Sequence, residues 1–168
     1  MRLIQTSLPE VLIIEPKVFE DTRGFFFESF NQQKFLEAAN LDIHFVIAAV
    51  DGKALAGGCE IVLACDLVVA STSAQFGVPE VKRSLVPAAG GLFRLPRVLP
   101  TNIAMEMMLT GDPLGAKRLA QLGFVNKLTD PGKALEGALA LAKKIAVNAP
   151  LAVREARSLT ARFSEIDD

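Results

Sequence analysis

Histidine and cysteine are scarce, with one His and two Cys in 168 residues. His44, Cys59 and Cys65 are the whole set, too few for a four-ligand zinc site of these residue types. Both cysteines are expected to be buried thiols. Long apolar runs are missing as well: Asp51, Glu60, Asp66 and Glu80 interrupt the hydrophobic middle region, which excludes a membrane-spanning helix. Neither charge dominates, because 18 Lys+Arg stand against 19 Asp+Glu. That balance argues against a polybasic nucleic-acid surface and an acidic tail. The nucleophile elbow G-x-S-x-G, the phosphate loop G-x-x-x-x-G-K-[ST] and the dinucleotide turn G-x-G-x-x-G do not occur. After Arg2 come Gln5, Pro9 and Glu10 rather than a long apolar stretch, so a cytoplasmic location is expected.

Hydrophobic residues supply 51% of the chain, enough for a globular core, and the length fits one domain. Their distribution is uneven. Seven of the eleven Phe but only two of the 23 Ala precede residue 47, and eleven of the twelve Gly follow it. Two readings remain open: an aromatic sheet joined to an Ala-rich helical layer in one domain, or a junction between two segments, 1–46 and 47–168.

Residues 1–30 have strand chemistry, with a hairpin turn expected at Glu20–Gly24. Asn31 is placed to cap a short helix to Ala39, and Ile47–Val50 suits a strand buried on both faces. From Asp51 the pattern is strand, glycine turn, helix. A helix is expected to Cys65, a strand over Leu67–Ala70, and a short strand at Gln75-Phe76. Pro96 and Pro100 limit the next helix to Leu92–Leu95. Further helices are expected from Ile103 to Leu109, where Met105, Met107 and Met108 read as core, and from Asp112-Pro113 to a left-handed Gly123. Phe124–Leu128 reads as a strand. Asp130-Pro131 then caps a helix with Leu135, Leu139, Ala142 and Ala146 on its inner face, and Pro150 opens a last helix to Phe163. The alternation makes the chain α/β with C-terminal helices.

The chemistry concentrates at Ala56-Gly57-Gly58, at Glu60, and at Glu80 within Phe76-Gly77-Val78-Pro79-Glu80. A helix opening on two glycines exposes free N–H groups at its positive end, which suits a carbonyl oxygen gaining negative charge. Glu60 falls in its first turn, and a second carboxylate facing the same opening would let one Glu take a proton from water while the other supplies one to carbon. Taken alone, each residue also fits a bland role: Glu60 as a helix-dipole partner, Glu80 as a solvated loop residue. Lys82, Arg83, Arg94 and Arg97 read as solvated, with coenzyme A phosphates as the competing partner.

The run IAAVDGKALAGGCEIVLACDLVVASTSAQFGVPEVKRSLVPAAGGLFRLPR, residues 47–97, closely resembles the crotonase (enoyl-CoA hydratase/isomerase) family. The likeness continues through MEMMLTGDPLGAKRLAQLGFVNKL and AKKIAVNAPLAVREA, to about residue 160. It implies a ββα spiral core, an acyl-CoA thioester substrate, no cofactor beyond the coenzyme A of that substrate, and a homo-oligomer, trimer or hexamer. It implies no nucleic-acid partner. On the resemblance Gly57 supplies an oxyanion N–H, Ala56 and Gly58 line the substrate, and Glu60 and Glu80 match the two catalytic glutamates of hydratases. Isomerases of the family often lack the first carboxylate, so the pair favours hydration of a 2-enoyl-CoA.

LPEVLIIEPKVFEDTRGFFFESFNQQKF, residues 8–35, is similar instead to the start of dTDP-4-dehydrorhamnose 3,5-epimerases, of cupin type. That likeness implies nucleotide contacts at Arg23, Phe26 and Glu28. A hairpin ion pair is the competing role for Arg23 and Glu28. The crotonase family's A-G-A-D-like segment, source of the second oxyanion N–H, has no counterpart in residues 1–46. Three readings follow: an enoyl-CoA hydratase; a chimeric or truncated fragment with an incomplete site and no enzymatic role; and a dTDP-sugar binder.

Overall fold

The computed structural model of the chain describes residues 2–6, 12–15, 18–21, 24–27 and 45–163, in two units. One unit comprises Met1–Phe45 with Leu141–Asp168. It holds two antiparallel strand pairs, β1 (Arg2–Gln5) with β2 (Leu12–Glu15) and β3 (Val18–Asp21) with β4 (Gly24–Phe27). Phe19 pairs with Phe26 and Asp21 with Gly24, so β3 and β4 run further into the expected Glu20–Gly24 turn than its composition suggests. The Asn31–Ala39 helix and His44 lie outside the described residues.

The other unit, Val46–Ala140, is built on two small sheets. In the first, β5 (Ile47–Val50), β7 (Leu67–Ser71) and β10 (Lys127–Thr129) are parallel in the order β10-β7-β5. The second runs β6 (Lys53–Leu55), β8 (Gln75–Gly77), β9 (Leu114–Gly115), with β6 parallel and β9 antiparallel to β8. Central β7 is the buried strand: Val68, Val69, Ala70 and Ser71 are inaccessible or nearly so. Expected to be buried on both faces, β5 is only half-buried, with Ala49 exposed, because it lies at the end of its sheet. Phe76 of β8 is wholly buried and meets Phe124 edge-to-face, ring centroids 5.4 Å apart.

Three helices cross this unit after the glycine turn and the 3-10 turn Pro79–Arg83: α1 (Gly57–Leu63), α2 (Gly91–Val98) and α3 (Thr101–Thr110). Helix α2 runs through Pro96 instead of stopping at Leu95. Proline sits there near the end of a short helix, where it removes one backbone donor, and Leu95 is buried. In α3 Met107 and Met108 are core but Met105 is half-exposed, two positions off the buried side. Asp112-Pro113 does not start a helix. The chain stays extended through β9, where Leu114 pairs with Phe76, and α4 (Ala116–Gln121) begins after it. Gly123 takes the left-handed conformation after α4, φ +87°. Phe124 and Val125 enter the core without being strand, and β10 starts only after Asn126, whose Oδ1 accepts from Val68 N–H at 2.7 Å.

Helix α5 (Ala134–Ala146) departs from its expected start and face. Asp130 does not cap it. The Asp51 carboxylate does so from the β5–β6 turn, accepting from Gly132 N–H at 2.8 Å and from Ala134 N–H at 3.3 Å. Its buried side carries Ala134, Gly137, Ala138 and Ala142, while Leu135 is 45% exposed. A methyl at Gly137 would lie 2.6 Å from Thr129 Cγ2 and 3.0 Å from Val69 Cγ1. The helix therefore packs so close to β7 and β10 that small side chains, not leucines, face the sheet. Helix α6 (Pro150–Phe163) follows as expected.

Candidate active site

Helix α1 opens under strain. Ala56, the residue before it, has φ +52° and ψ −129°, a conformation L-residues rarely adopt. The contacts that impose it are visible: Ala56 N–H donates to Gly77 O at 2.9 Å, and Ala56 O accepts from Cys59 N–H at 2.8 Å and Glu60 N–H at 3.1 Å. Gly57 and Gly58 are left as the first two residues of the helix, whose N–H groups have no upstream carbonyl to bind. A methyl on either glycine would meet nothing within 4 Å, so the space in front of both is open.

One turn on, Glu60 is 5% exposed. A carboxylate buried to that degree needs donors. They come from the turn into α2 and from that helix's first residue: Ala89 N–H and Gly91 N–H both reach Oε1, at 2.8 and 2.9 Å. The approach is close: a Cβ at Gly91 would stand 3.1 Å from Glu60 Oε1 and 2.9 Å from Pro87 Cβ. The other oxygen, Oε2, takes no hydrogen bond from a described residue and is the one free to meet a ligand.

Glu80 lies in the first turn of Pro79–Arg83, half-buried. Its Oε2 is shielded from solvent and has no partner among the described residues. Burial pushes its carboxyl above the ordinary range; a hydrogen bond from its own backbone opposes this, and the charge of Glu60 adds to it. Cys59, fully buried, feels both carboxylates. Burial first, then the charges of Glu80 and Glu60, against a hydrogen bond from the Gly77 backbone, push its thiol up to about 12. Glu60 and Glu80 are thus within electrostatic reach of each other and of one thiol. One carboxylate is anchored by two peptide N–H groups; the other keeps a dry, unpartnered oxygen.

Ala56, Gly57, Gly58, Glu60 and Glu80 all lie in the Val46–Ala140 unit. Arg23 and Glu28 are outside the described residues, and Phe26 is placed only as a residue of β4. Lys82, Arg83, Arg94 and Arg97 are exposed, as expected; Lys82 pairs at the surface with Asp112 at 2.5 Å, and Arg94 donates to Ala89 O at 3.0 Å. Sequence reasoning missed Ala89 and Gly91, because main-chain donors leave no trace in residue type; the signal available was the Gly90-Gly91 pair. Among the described residues no three His, Cys, Asp or Glu side chains cluster as metal ligands, and no helix is long and apolar enough to cross a membrane.

Residues 25–166 match the model of the family described as enoyl-CoA hydratase/isomerase. That match begins within the segment set apart by its phenylalanine content. The carnitinyl-CoA dehydratase of Escherichia coli (strain K12) is 39% identical over 130 residues, which cover 77% of this chain and 49% of that protein. The short-chain-enoyl-CoA hydratase of Clostridium acetobutylicum is 39% identical over 122 residues, 73% of this chain and 47% of that protein. Among solved structures, an enoyl-CoA hydratase from Mycobacterium tuberculosis H37Rv superposes with a TM-score of 0.68 at 56% identity, covering 68% of this chain and 46% of that one. The mixed α/β arrangement is therefore a partial crotonase-like fold, and the chain spans about half the length of the curated relatives it matches.

Proposed function

Since the chain belongs to the enoyl-CoA hydratase/isomerase family, we propose that it acts as a hydratase-type lyase, adding water to the double bond of a 2-enoyl-CoA thioester. The observation that carries this reading is the pairing of an anchored Glu60 with a Glu80 whose Oε2 is buried and unpartnered. In the proposed reaction the thioester carbonyl lies before Ala56-Gly57-Gly58 and accepts from Gly57 N–H, which stabilises negative charge on its oxygen as the C–C double bond is attacked. Glu60 takes a proton from water through Oε2 while the water oxygen bonds to C3. Glu80, whose environment favours its protonated form, delivers a proton to C2. The addition leaves Glu60 protonated and Glu80 ionised, and a proton passed back from Glu60 to Glu80 through solvent restores both for the next turnover; no electrons are exchanged, and the coenzyme A is part of the substrate. A homo-oligomer, trimer or hexamer, in the cytoplasm completes the proposal, and sedimentation velocity reads its mass.

Crotonyl-CoA tests the chemistry. Its enoyl absorbance is expected to fall on adding the protein, and Glu60→Gln and Glu80→Gln to slow the fall by about 10²–10⁴-fold each. Unchanged absorbance at high protein concentration, or full activity in both variants, would overturn it. The coverage of about half of each relative favours a second reading, a fragment with family motifs and no turnover, which the first of those outcomes would support. For the N-terminal segment a further reading, a dTDP-sugar binder, rests on the resemblance of residues 8–35 alone, and the enoyl-CoA hydratase/isomerase match overlaps it from residue 25. That reading requires dTDP binding that is lost in Arg23→Ala.

A further inference from the structure

The two N–H groups that anchor Glu60 come from the turn that leads into α2 and from the first residue of that helix. Pro87–Gly90 precedes α2, whose first residue is Gly91, and Gly90 sits at φ +107°, a conformation only glycine adopts without strain. Three successive peptide groups matter. The first, ending in Ala89 N–H, and the third, ending in Gly91 N–H, point at Glu60 Oε1. The middle one, between Ala89 and Gly90, carries the carbonyl of Ala89, and that oxygen accepts from Arg94 Nη1 at 3.0 Å. The backbone of Arg94 also donates to the next carbonyl, Gly90 O, at 2.9 Å. The guanidinium lies directly over the Cα of Gly90, where any side chain would collide with it.

We propose that Arg94 is a positioning residue: it pins the middle peptide of the Pro87–Gly90 turn so that Ala89 N–H and Gly91 N–H stay aimed at Glu60. The torsions that flank this peptide are ψ of Ala89 and φ of Gly90; a change in either one that the other does not compensate re-aims Ala89 N–H or Gly91 N–H, and glycine leaves φ free to change, so a fixed Ala89 carbonyl limits the drift of the Glu60 anchor. Arginine suits the task. Its planar guanidinium fork approaches a carbonyl in a fixed geometry that an ammonium does not reproduce. The clamp is exposed, so the energy of its hydrogen bond is modest; its effect is on aim, and small displacements of a catalytic group lower rates steeply. The competing role for Arg94, a contact to the phosphates of coenzyme A, would give it uniform binding energy instead.

The proposal rests on the hydratase reading, and the test separates the two. In crotonyl-CoA kinetics, Arg94→Ala is expected to lower kcat about tenfold or more while KM stays within about threefold, the mark of lost transition-state stabilisation. A raised KM with unchanged kcat would make Arg94 a substrate contact and overturn the proposal. Arg94→Lys, which keeps the charge and can reach one carbonyl, should recover part of kcat and serves where the alanine variant fails to fold. Amide hydrogen exchange supplies a readout that needs no turnover: Ala89 and Gly91 should exchange about tenfold faster in either variant, with distant amides of β7 unchanged. If wild-type protein fails to hydrate crotonyl-CoA but this acceleration is seen, the hydratase reading fails and the clamp stands. Unaltered exchange at both amides overturns the clamp whatever the activity.

Discussion

At the scale of single residues, the strained Ala56 and the buried Cys59 each lead to a measurement. Ala56 holds φ +52°, ψ −129° because its N–H and C=O are both committed, to Gly77 O and to the first turn of α1. Such strain costs about 1–3 kcal/mol. Glycine would relieve it, at an entropic cost of roughly 0.4–1 kcal/mol through the looser unfolded chain. The first effect is larger, so Ala56→Gly should stabilise the protein by about 1 kcal/mol in urea unfolding; a destabilised variant would show that the backbone is not strained there. Cys59 has its thiol pushed up to about 12 from an ordinary value of 9.0. A pKa raised in the folded state contributes stability below pH 9 that is lost as pH rises from 9 to 12. At pH 8 the thiol is neutral and inaccessible, so a disulfide exchange reagent should leave Cys59 unmodified in the native chain and label it once guanidinium unfolds the protein. Native labelling of Cys59 would contradict its burial. Cys59 was legible as buried from its apolar surroundings; Cys65, expected to be buried as well, is only half-buried, near the C-terminal end of the short helix α1. The partners of Glu60 were not, since Ala89 and Gly91 lie 29 and 31 positions away and act through main-chain N–H groups that any residue but proline carries.

Elements follow the same division between local and distant causes. Gly123 and Pro150 mark a helix end and a helix start where local chemistry says they should, because a left-handed φ and a fixed φ are properties of those residues themselves. The start of α5 is set from far away. Asp130-Pro131 has the composition of a cap, yet the carboxylate on the first turn of α5 is that of Asp51, 83 positions before Ala134. Replacing a cap carboxylate costs about 0.5–2 kcal/mol, whereas an exposed residue without such a role costs within about 0.5 kcal/mol. Asp51→Ala should therefore lower unfolding free energy by about 1 kcal/mol and Asp130→Ala by less than half of that. Equal effects would return the cap to Asp130. The inner face of α5 was misread for a related reason: hydrophobicity favours Leu135, but Gly137 brings the helix so near Thr129 and Val69 that alanines take the inner positions.

For the whole molecule, the shift from phenylalanine to alanine and glycine near residue 46 falls where the structure divides, between Phe45 and Val46. The grouping of Leu141–Asp168 with the N-terminal residues had no counterpart in composition, because helices α5 and α6 share the alanine content of the segment before them. Charge is the property of the whole chain that composition gives without any structure. The formal net charge is −1 at pH 7 and the isoelectric point about 5.9, so like-charge repulsion between molecules is weak at neutral pH and vanishes just below it. Apolar side chains meanwhile face outward: Phe93 and Leu109 are each 70% exposed, with Leu85 and Val86 above 60%. Exposed apolar surface drives association where no charge opposes it. Self-association, followed by light scattering at fixed concentration, should therefore peak near pH 6 and decline as the pH is raised to 8, where the chain gains negative charge. Phe93→Lys should lower the peak and move it to higher pH, since it removes apolar surface and adds a positive charge in one step. Scattering that is flat from pH 5 to 8, or a peak that neither falls nor moves in Phe93→Lys, would mean that this outward-facing surface does not govern how the molecules meet.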